Sequence, residues 1–416
     1  MADIYRYHHH FYYTGSGRSL PHSCHCRKKR HRSPPITQPS RPCPLHPCRR
    51  SHSCEWITDR NKSYTLKQLH EPGHANKHNG NKTSAQKPKF VPITRLEDDQ
   101  VIRAAEFHPN GLFYATGANS KALRICAYPK IHEIRENYET REPAVLMKRM
   151  KHHKGSIYCV AWNGTGDLLA TGSNDKTIKL MRFNQEICNV EGSAAELTMH
   201  KGTIRDLCFM EDLSNRSSLL ISGGATDNKI FITDCETGMT FQTFTGHSGT
   251  ILSLYTWGGA MFVSGSHDKT IRLWDLRSRG CVNVISAPSA SGSGPGSPVA
   301  AVCVDPSGRL LVSGHDDSTC MLYDVTGGKI IQCFQPHTAE IRTIRFSPKA
   351  YYLLTGSYDH KVVLSDLQGD LSQPIPNVVI AEHGDKVLQA RWHPSDFSIL
   401  TTSADKSVTL WGLSAN

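Results

Sequence analysis

The sequence has no long hydrophobic run. No window of its 416 residues approaches the roughly 18 consecutive apolar residues of a membrane-spanning helix. The first residues also do not combine a charged segment with an apolar stretch, as a secretory signal does. These two absences predict a cytoplasmic protein that has no membrane partner.

Metal-binding cysteine pairs are missing as well. The chain has 14 cysteines but no Cys-x-x-Cys pair. Five stand in the first 88 residues, at intervals of 2, 17, 5 and 6 that fit no tetrahedral zinc module: Cys24, Cys26, Cys43, Cys48 and Cys54. The other nine fall mostly in strand-like runs, where a reduced thiol behaves as a small apolar side chain. We therefore expect no metal ion and no cofactor.

Acidic residues are scarce in the first part of the chain. Residues 1–90 contain 17 Lys and Arg but only 4 Asp and Glu, whereas the remaining residues contain 31 and 33. Residues 1–88 have few branched aliphatic side chains, so they cannot bury enough apolar surface to offset the entropy of ordering. The sequence predicts a disordered, basic, His/Cys/Pro-rich tail over residues 1–88. Because the rest is nearly neutral, nucleic acid is not an expected partner of the folded part, and RNA association through the tail is kept as an alternative.

From Phe90 onward one unit recurs seven times. Each copy has an apolar run, a Pro/Gly turn, a second run ending in Thr-Gly-Ser or a similar triplet, a tight turn and another strand. The tight turns fall at Ser120, Asp175, Asp227, Asp268, Asp317, Asp359 and Asp405. Their spacing is close to the roughly 40 to 45 residues of a four-stranded blade, and residues 129–143 and 287–298 are loop insertions. The sequence predicts an all-β, seven-bladed β-propeller over residues 89–416, with helix nearly absent.

The last copy ends almost at the terminus, too early for an outer strand. Residues 90–96 (FVPITRL) form an apolar, β-prone segment ahead of the first copy. A ring with an open end would expose an unpaired strand edge. We expect residues 90–96 to supply the missing strand of the last blade.

Two copies carry a set of four polar residues that recurs at one spacing. The sets are His247, Ser264, Asp268 and Trp274 in blade four, and His383, Thr401, Asp405 and Trp411 in blade seven. The spacing resembles that of WD repeats, in which a turn Asp is linked through imidazole and hydroxyl to the indole N–H. A catalytic Asp-His-Ser arrangement would occur once and face a substrate. The recurrence favours a structural role, and we expect no enzyme activity and no small-molecule substrate.

The other blades have incomplete sets. Blades two, three and six keep the His and the Asp but replace the Trp, with His153, His200 and His337 present and Met181, Thr233 and Ser365 in the Trp position. Blades one and five have Asp98 and Pro295 where the His would be. We expect blades two, three and six to be less rigid.

Arginine recurs at one register in three blades. Each follows an isoleucine at the start of a first strand: Arg103, Arg205 and Arg342. This register places them near one rim, together with the turn-adjacent residues Asn174, His267 and Tyr358. Arg and Tyr are frequent interface hot spots, so this rim is the candidate partner-binding face. The alternative is a rim of ordinary solvated residues.

Blade four also ends in Trp274-Asp275-Leu276-Arg277. Trp274, Asp275 and Arg277 are similar to the WDxR box of substrate receptors in cullin-RING ubiquitin ligases. A strong repeat generates most of this box for structural reasons. The ligase-adaptor role is therefore the second hypothesis.

Several stretches outside the generic repeat resemble one family. They are VPITRLEDDQVIRAAEFHP, MHKGTIRDLCFME, DPSGRLLVSGHDDSTCMLYDV, and YYLLTGSYDHK with DLQGDL. They are similar to the C-terminal propeller of the nemitin family of WD-repeat proteins. The resemblance implies a cytoplasmic scaffold that binds microtubule-associated proteins and acts in neuronal microtubule organisation. That family begins with helical LisH and CTLH modules, which residues 1–88 do not match, so we expect a monomeric propeller.

Overall fold

The computed structural model describes residues 56–58, 62–64, 89–130, 134–135, 137–212, 217–287 and 296–414. Two short strands, β1 (Trp56–Thr58) and β2 (Lys62–Tyr64), form an antiparallel hairpin. The hairpin lies inside the segment that we predicted to lack structure. The other residues of that segment, up to residue 88, lie outside the described residues, as do its five cysteines.

Residues 89–414 form seven antiparallel sheets of four strands each, which confirms the seven-bladed β-propeller. The segment before blade one is β3 (Phe90–Glu97). Blades one and two contain β4 (Ile102–Phe107), β5 (Phe113–Ala118), β6 (Leu123–Ala127), β7 (Val145–Arg149), β8 (Ile157–Trp162), β9 (Leu168–Ser173), β10 (Ile178–Asn184) and β11 (Asn189–Leu197). Blades three and four contain β12 (Ile204–Asp212), β13 (Ser217–Gly224), β14 (Ile230–Asp234), β15 (Thr240–Phe244), β16 (Ile251–Thr256), β17 (Met261–Ser266), β18 (Thr270–Asp275) and β19 (Cys281–Ser286).

The remaining three blades complete the ring. Blades five and six contain β20 (Val299–Val304), β21 (Leu310–His315), β22 (Cys320–Asp324), β23 (Lys329–Phe334), β24 (Ile341–Phe346), β25 (Tyr352–Ser357), β26 (Lys361–Asp366) and β27 (Asn377–Glu382). Blade seven contains β28 (Val387–Trp392), β29 (Ser398–Ser403), β30 (Ser407–Leu413) and, as its outer strand, β3. The first strand of every blade contacts the first strands of both neighbouring blades, and β28 contacts β4. The first strands therefore surround a central channel.

The same turn joins the second and third strands of each blade. The residue after the turn Asp, or after Ser120 in blade one, has a positive φ between 50° and 73° in all seven turns. The turn carboxylate accepts the backbone N–H two residues on, as Asp268 does from Thr270 at 2.9 Å. An Asp that satisfies its own turn in this way is a common turn former. The regular spacing of these turns fixes the blades.

A glycine before the turn lets successive blades approach closely. A Cβ on Gly117 would lie 2.4 Å from Cγ2 of Ile157 in the next blade, and a Cβ on Gly265 would lie 2.7 Å from Cγ1 of Val299. The closing interface between blades seven and one differs, because Thr402 occupies the glycine position. Its hydroxyl donates to the Arg103 carbonyl at 3.4 Å.

The outer strand of blade seven comes from the other end of the repeat region. β3 pairs antiparallel with β30 from Phe90 opposite Leu413 to Glu97 opposite Ser407, with a bulge between Pro92 and Thr94. The segment that the sequence predicted for this strand ends one residue earlier. In β3 the side chains of Phe90, Val91 and Ile93 are buried.

The insertion at residues 129–143 packs against this closing strand. The Arg95 N–H donates to the Arg141 carbonyl at 2.9 Å, and the Arg141 N–H donates to the Ile93 carbonyl at 3.1 Å. Ile134 and Tyr138 pack on the apolar core around Ile93. The insertion, which the sequence indicated only as a loop, therefore fastens blade one to the outer edge of blade seven.

The nine cysteines within residues 89–416 are all free thiols. The part of the chain that the structure describes has no helix long and apolar enough to cross a bilayer.

Candidate functional site

The polar set of blade four forms one buried chain of hydrogen bonds. His247 donates from Nδ1 to Oδ2 of Asp268 at 2.8 Å, and Ser264 Oγ lies 2.7 Å from His247 Nε2. The Trp274 indole N–H donates to the same hydroxyl at 2.8 Å. In blade seven the matching distances for His383, Thr401, Asp405 and Trp411 are 3.1, 2.7 and 2.8 Å. Since Ser264 and Thr401 have no exposed surface, the sets join strands and offer no surface to a substrate.

In three incomplete blades the hydroxyl still meets the expected histidine. The distance between the histidine Nε2 and the hydroxyl oxygen is 2.8 Å for His153 and Thr171. It is 2.9 Å for His200 and Ser222 and 2.9 Å for His337 and Thr355. Blade two has no indole, but a second histidine contacts the same hydroxyl. His152 Nε2 lies 3.1 Å from Thr171 Oγ1. Burial, with the neighbouring charges of His153 and Lys179, lowers the pKa of His152 to about 3.

Blades one and five use other residues in place of the missing histidine. In blade one, Asp98 forms a buried ion pair with Arg124 at 2.5 Å and accepts a hydrogen bond from Ser120 at 3.0 Å. In blade five, His315 from the end of β21 lies 2.8 Å from Ser313 Oγ through Nε2. Pro295 lies outside the described residues. Sequence reasoning missed His315 because it stands two residues after the serine instead of ahead of the first strand.

The role of His315 gives a stability prediction. His315→Leu removes the only described imidazole on Ser313, a fully buried hydroxyl. We expect the free energy of unfolding to fall by about 1–3 kcal/mol, as it does when a buried polar group loses a hydrogen-bond partner. Urea unfolding measures this, with His267→Ala, an exposed His in the blade-four turn, as the control. Equal midpoints for His315→Leu and the control would contradict the assignment.

The turn aspartates predict a loss of stability in acid. Burial raises the pKa of Asp359, but hydrogen bonds from His337 and the Thr338 N–H lower it by more, to about 2. At Asp175, Asp268 and Asp405, too, burial raises the pKa but hydrogen bonds to the carboxylate lower it by more. The pKa values of these three groups lie well below the ordinary range. Because the folded carboxylates take up protons only at lower pH than unfolded ones, their contribution is complete above about pH 5 and is lost progressively as the pH falls toward 2. Urea midpoints should fall over that range, less steeply for Asp359→Asn. Parallel curves would contradict this.

A β-bulge directs the rim residues toward the channel. In each of the seven first strands the pairing register shifts around the second residue, as between Ile102 and Ala104 or between Ile341 and Thr343. Arg103, Arg205 and Arg342 occupy this second position. A bulge leaves a residue out of the ladder and changes the direction of its side chain.

The three rim arginines line one cavity of about 100 Å³ at the mouth of the channel. The guanidinium carbons of Arg103 and Arg205 lie 4.7 and 5.1 Å from the centre of the Tyr158 ring. That of Arg342 lies 5.5 Å from the centre of the Tyr358 ring. Burial lowers the pKa of Arg205, and the charges of Arg342 and Arg103 lower it further. Sequence reasoning did not identify Tyr158, although it is the second residue of the first strand of blade two, the position that the three arginines occupy in their own blades.

Two further arginines line the same cavity and were not predicted. Arg391 donates from Nε to Glu106 of blade one at 2.6 Å and from Nη1 to Thr343 of blade six at 3.1 Å. Arg345 donates from Nη1 to the carbonyl of Ile344 at 2.8 Å, and its guanidinium lies 5.3 Å from the centre of the Tyr255 ring. Both stand at the fifth position of a first strand. The arginine cluster therefore extends into the channel.

Of the other candidate residues, only Tyr358 lines the cavity. Asn174 and His267 are exposed on turns and do not line the cavity, whereas Tyr358 does. Arg277 is exposed, and its guanidinium is engaged in a two-point ion pair with Asp275 at 2.8–3.2 Å. Within the described ranges, no group of three or more His, Cys, Asp or Glu is placed to hold a metal ion.

Comparisons with known proteins agree with this architecture. The WD domain, G-beta repeat family matches residues 144–180, 238–275 and 376–412. The repeats are WD repeats. The WD40 domain of anaphase-promoting complex subunit 4 also matches the WD-repeat propeller, over residues 272–349.

Several curated relatives match the WD-repeat region. Protein tipD of Dictyostelium discoideum is 29% identical over 276 residues, which cover 66% of this chain and 42% of tipD. Autophagy-related protein 16 of Arabidopsis thaliana is 25% identical, over 66% of this chain and 51% of that protein. Nuclear distribution protein PAC1 of Coccidioides posadasii is 26% identical, over 64% and 59%. The chain spans about half the length of these three relatives.

Proposed function

We propose that this chain is a non-enzymatic interaction scaffold that docks a protein partner on the arginine-bearing mouth of its propeller channel. The observation that carries the proposal is the cavity lined by Arg103, Arg205 and Arg342. Guanidinium groups beside tyrosine rings are typical of interface hot spots. The relatives support the same class, because their names refer to nuclear distribution and autophagy and not to one reaction.

The partners that we propose are microtubule-associated proteins. The support is the resemblance of the propeller to the nemitin family, which implies an adaptor in neuronal microtubule organisation. The scaffold would then act in the cytoplasm, on the microtubule cytoskeleton. The ligase-adaptor alternative gains no support from blade four, because the Arg277 guanidinium is held by Asp275.

Microtubule co-sedimentation of the full chain tests the proposal. We expect the chain to pellet with microtubules only when microtubule-associated proteins are added. The triple variant Arg103→Glu/Arg205→Glu/Arg342→Glu should pellet at least about tenfold less, because it removes the three proposed contact groups and reverses the charge of the rim. Its folding is checked by urea unfolding.

The matched control makes the same change in net charge away from the channel. Arg279→Glu/Arg309→Glu/Lys349→Glu alters three exposed residues that do not line the cavity. This variant should pellet as the unaltered chain does. If the rim variant pellets normally, the channel mouth is not the docking face; if both variants fail, net charge and not the rim governs binding.

A further inference from the structure

The cavity at the channel mouth has more positive charge than its walls neutralise. Five arginines line it: Arg103, Arg205, Arg342, Arg345 and Arg391. The one carboxylate that lines it, Asp206, accepts backbone N–H bonds at both oxygens, from Leu207 at 3.0 Å and from Leu254 at 2.7 Å. Of these five arginines, only Arg391 has a carboxylate of the described residues within hydrogen-bond distance, that of Glu106 at 2.6 Å.

The three guanidiniums at the mouth retain unused donors. The Arg205 Nε–H is buried and has no hydrogen-bond partner within the described part of the chain. Arg103 donates from Nε to the neutral side chain of Asn119 at 2.6 Å. The nearest carboxylate oxygen of Arg342 belongs to Asp316, at 3.8 Å. Three like charges are therefore held around one cavity with donors that an entering anion could use.

The arrangement favours a phosphoryl group over a carboxylate. A phosphorylated side chain carries about −1.5 to −2 charges and three strong acceptor oxygens. A carboxylate carries one charge and two oxygens, which a single guanidinium fork can satisfy. The cavity volume of about 100 Å³ is several times the roughly 10–15 Å³ that one water needs, so it admits a small group and not a folded element.

We propose that this cavity binds a phosphorylated serine or threonine side chain of the docked partner, with Arg103, Arg205 and Arg342 around the phosphoryl oxygens. This inference rests on the proposed function, since it names the chemistry recognised at the same rim. A peptide source is favoured over free phosphate because exposed turns lie next to the start of the first strands. The N–H groups of Asn174 and His267 donate to the carbonyls of Ser156 and Thr250, directly ahead of β8 and β16, so these turns can contact the flanking backbone of a peptide.

Binding of peptide libraries to the full chain tests the proposal. One library holds phosphoserine between randomised flanks, and two matched libraries hold serine or glutamate at that position. We expect the phosphoserine library to be retained about tenfold or more above both others, because each charge-assisted hydrogen bond is strong. Equal retention of the glutamate library would show that a carboxylate is sufficient for binding, and this would overturn the proposal. Thermal stabilisation by inorganic phosphate without peptide retention would assign the site to a free anion, which also overturns it.

Variants locate the binding and separate it from docking. Arg205→Gln should reduce phosphopeptide retention about tenfold. Arg205→Lys should restore retention only in part, because lysine lacks the planar guanidinium fork, and Arg309→Gln should leave it unchanged.

Phosphatase treatment of the microtubule-associated proteins should abolish co-sedimentation. If treated proteins still bind and the rim triple variant does not, the docking function stands and the phosphate inference is wrong. If phosphopeptides bind but co-sedimentation fails, the cavity binds phosphate as inferred and the proposed docking on microtubule-associated proteins is wrong.

Discussion

A chain from which Lys89–Leu96 are deleted should lose the cooperative unfolding of the whole propeller. The deletion removes most of β3, whose side chains Phe90, Val91 and Ile93 are buried and whose backbone completes blade seven. Burial of three such side chains is worth roughly 5–9 kcal/mol, which is comparable with the total stability of about 5–15 kcal/mol of a typical domain. Urea unfolding followed by circular dichroism is the measurement.

Point variants and a peptide provide the controls for this deletion. Ile93→Ala should lower the free energy of unfolding by about 2–5 kcal/mol, whereas Glu97→Ala, at an exposed position of the same strand, should change it little. A synthetic peptide of residues 89–97 added to the deleted chain should restore part of the transition by strand addition. An unchanged midpoint in the deleted chain would show that ring closure does not depend on β3.

The seven blades were predictable from sequence because the turn is a local feature. An Asp followed by a residue of positive φ, with a glycine three residues ahead, encodes the hairpin and the blade spacing in five of the seven repeats. Blade one has Ser120 in place of the Asp, and blade seven has Thr402 in place of the glycine. The closing strand was predictable because the last repeat lacks an outer strand of its own. The attachment of the insertion to β3 was not, because its hydrogen bonds join the backbone of Arg141 to that of Ile93 and Arg95 and leave no pattern in the side chains.

The candidate site was predicted only in part. Arg103, Arg205 and Arg342 could be found because they share a register directly after isoleucine. Arg345 and Arg391 were missed because each looks like an ordinary polar position in an alternating strand. Whether such a side chain faces the channel depends on the bulge earlier in the strand, and the bulge appears only in the pairing register.

Arg391 is expected to stabilise the ring where it closes. It connects blade seven to Glu106 of blade one and to Thr343 of blade six, and its side chain is 7% exposed. Arg391→Met leaves the Glu106 carboxylate without this partner. Breaking a buried ion pair by removing one member costs about 3–5 kcal/mol, and the lower end applies because the Glu106 side chain keeps 28% of its exposure.

Arg205→Met is the matched control, since it makes the same chemical change in the same cavity. Among the described residues, Arg205 has no carboxylate within ion-pair distance, and it lies beside the like charges of Arg103 and Arg342. Its loss should leave the urea midpoint unchanged or raise it. The double variant Arg391→Met/Glu106→Gln should recover part of the stability lost by Arg391→Met alone, as expected for coupled partners. If Arg205→Met and Arg391→Met destabilise equally, packing and not the ion pair explains the effect. A difference between them would separate the arginine that closes the ring from the arginines left available for a ligand.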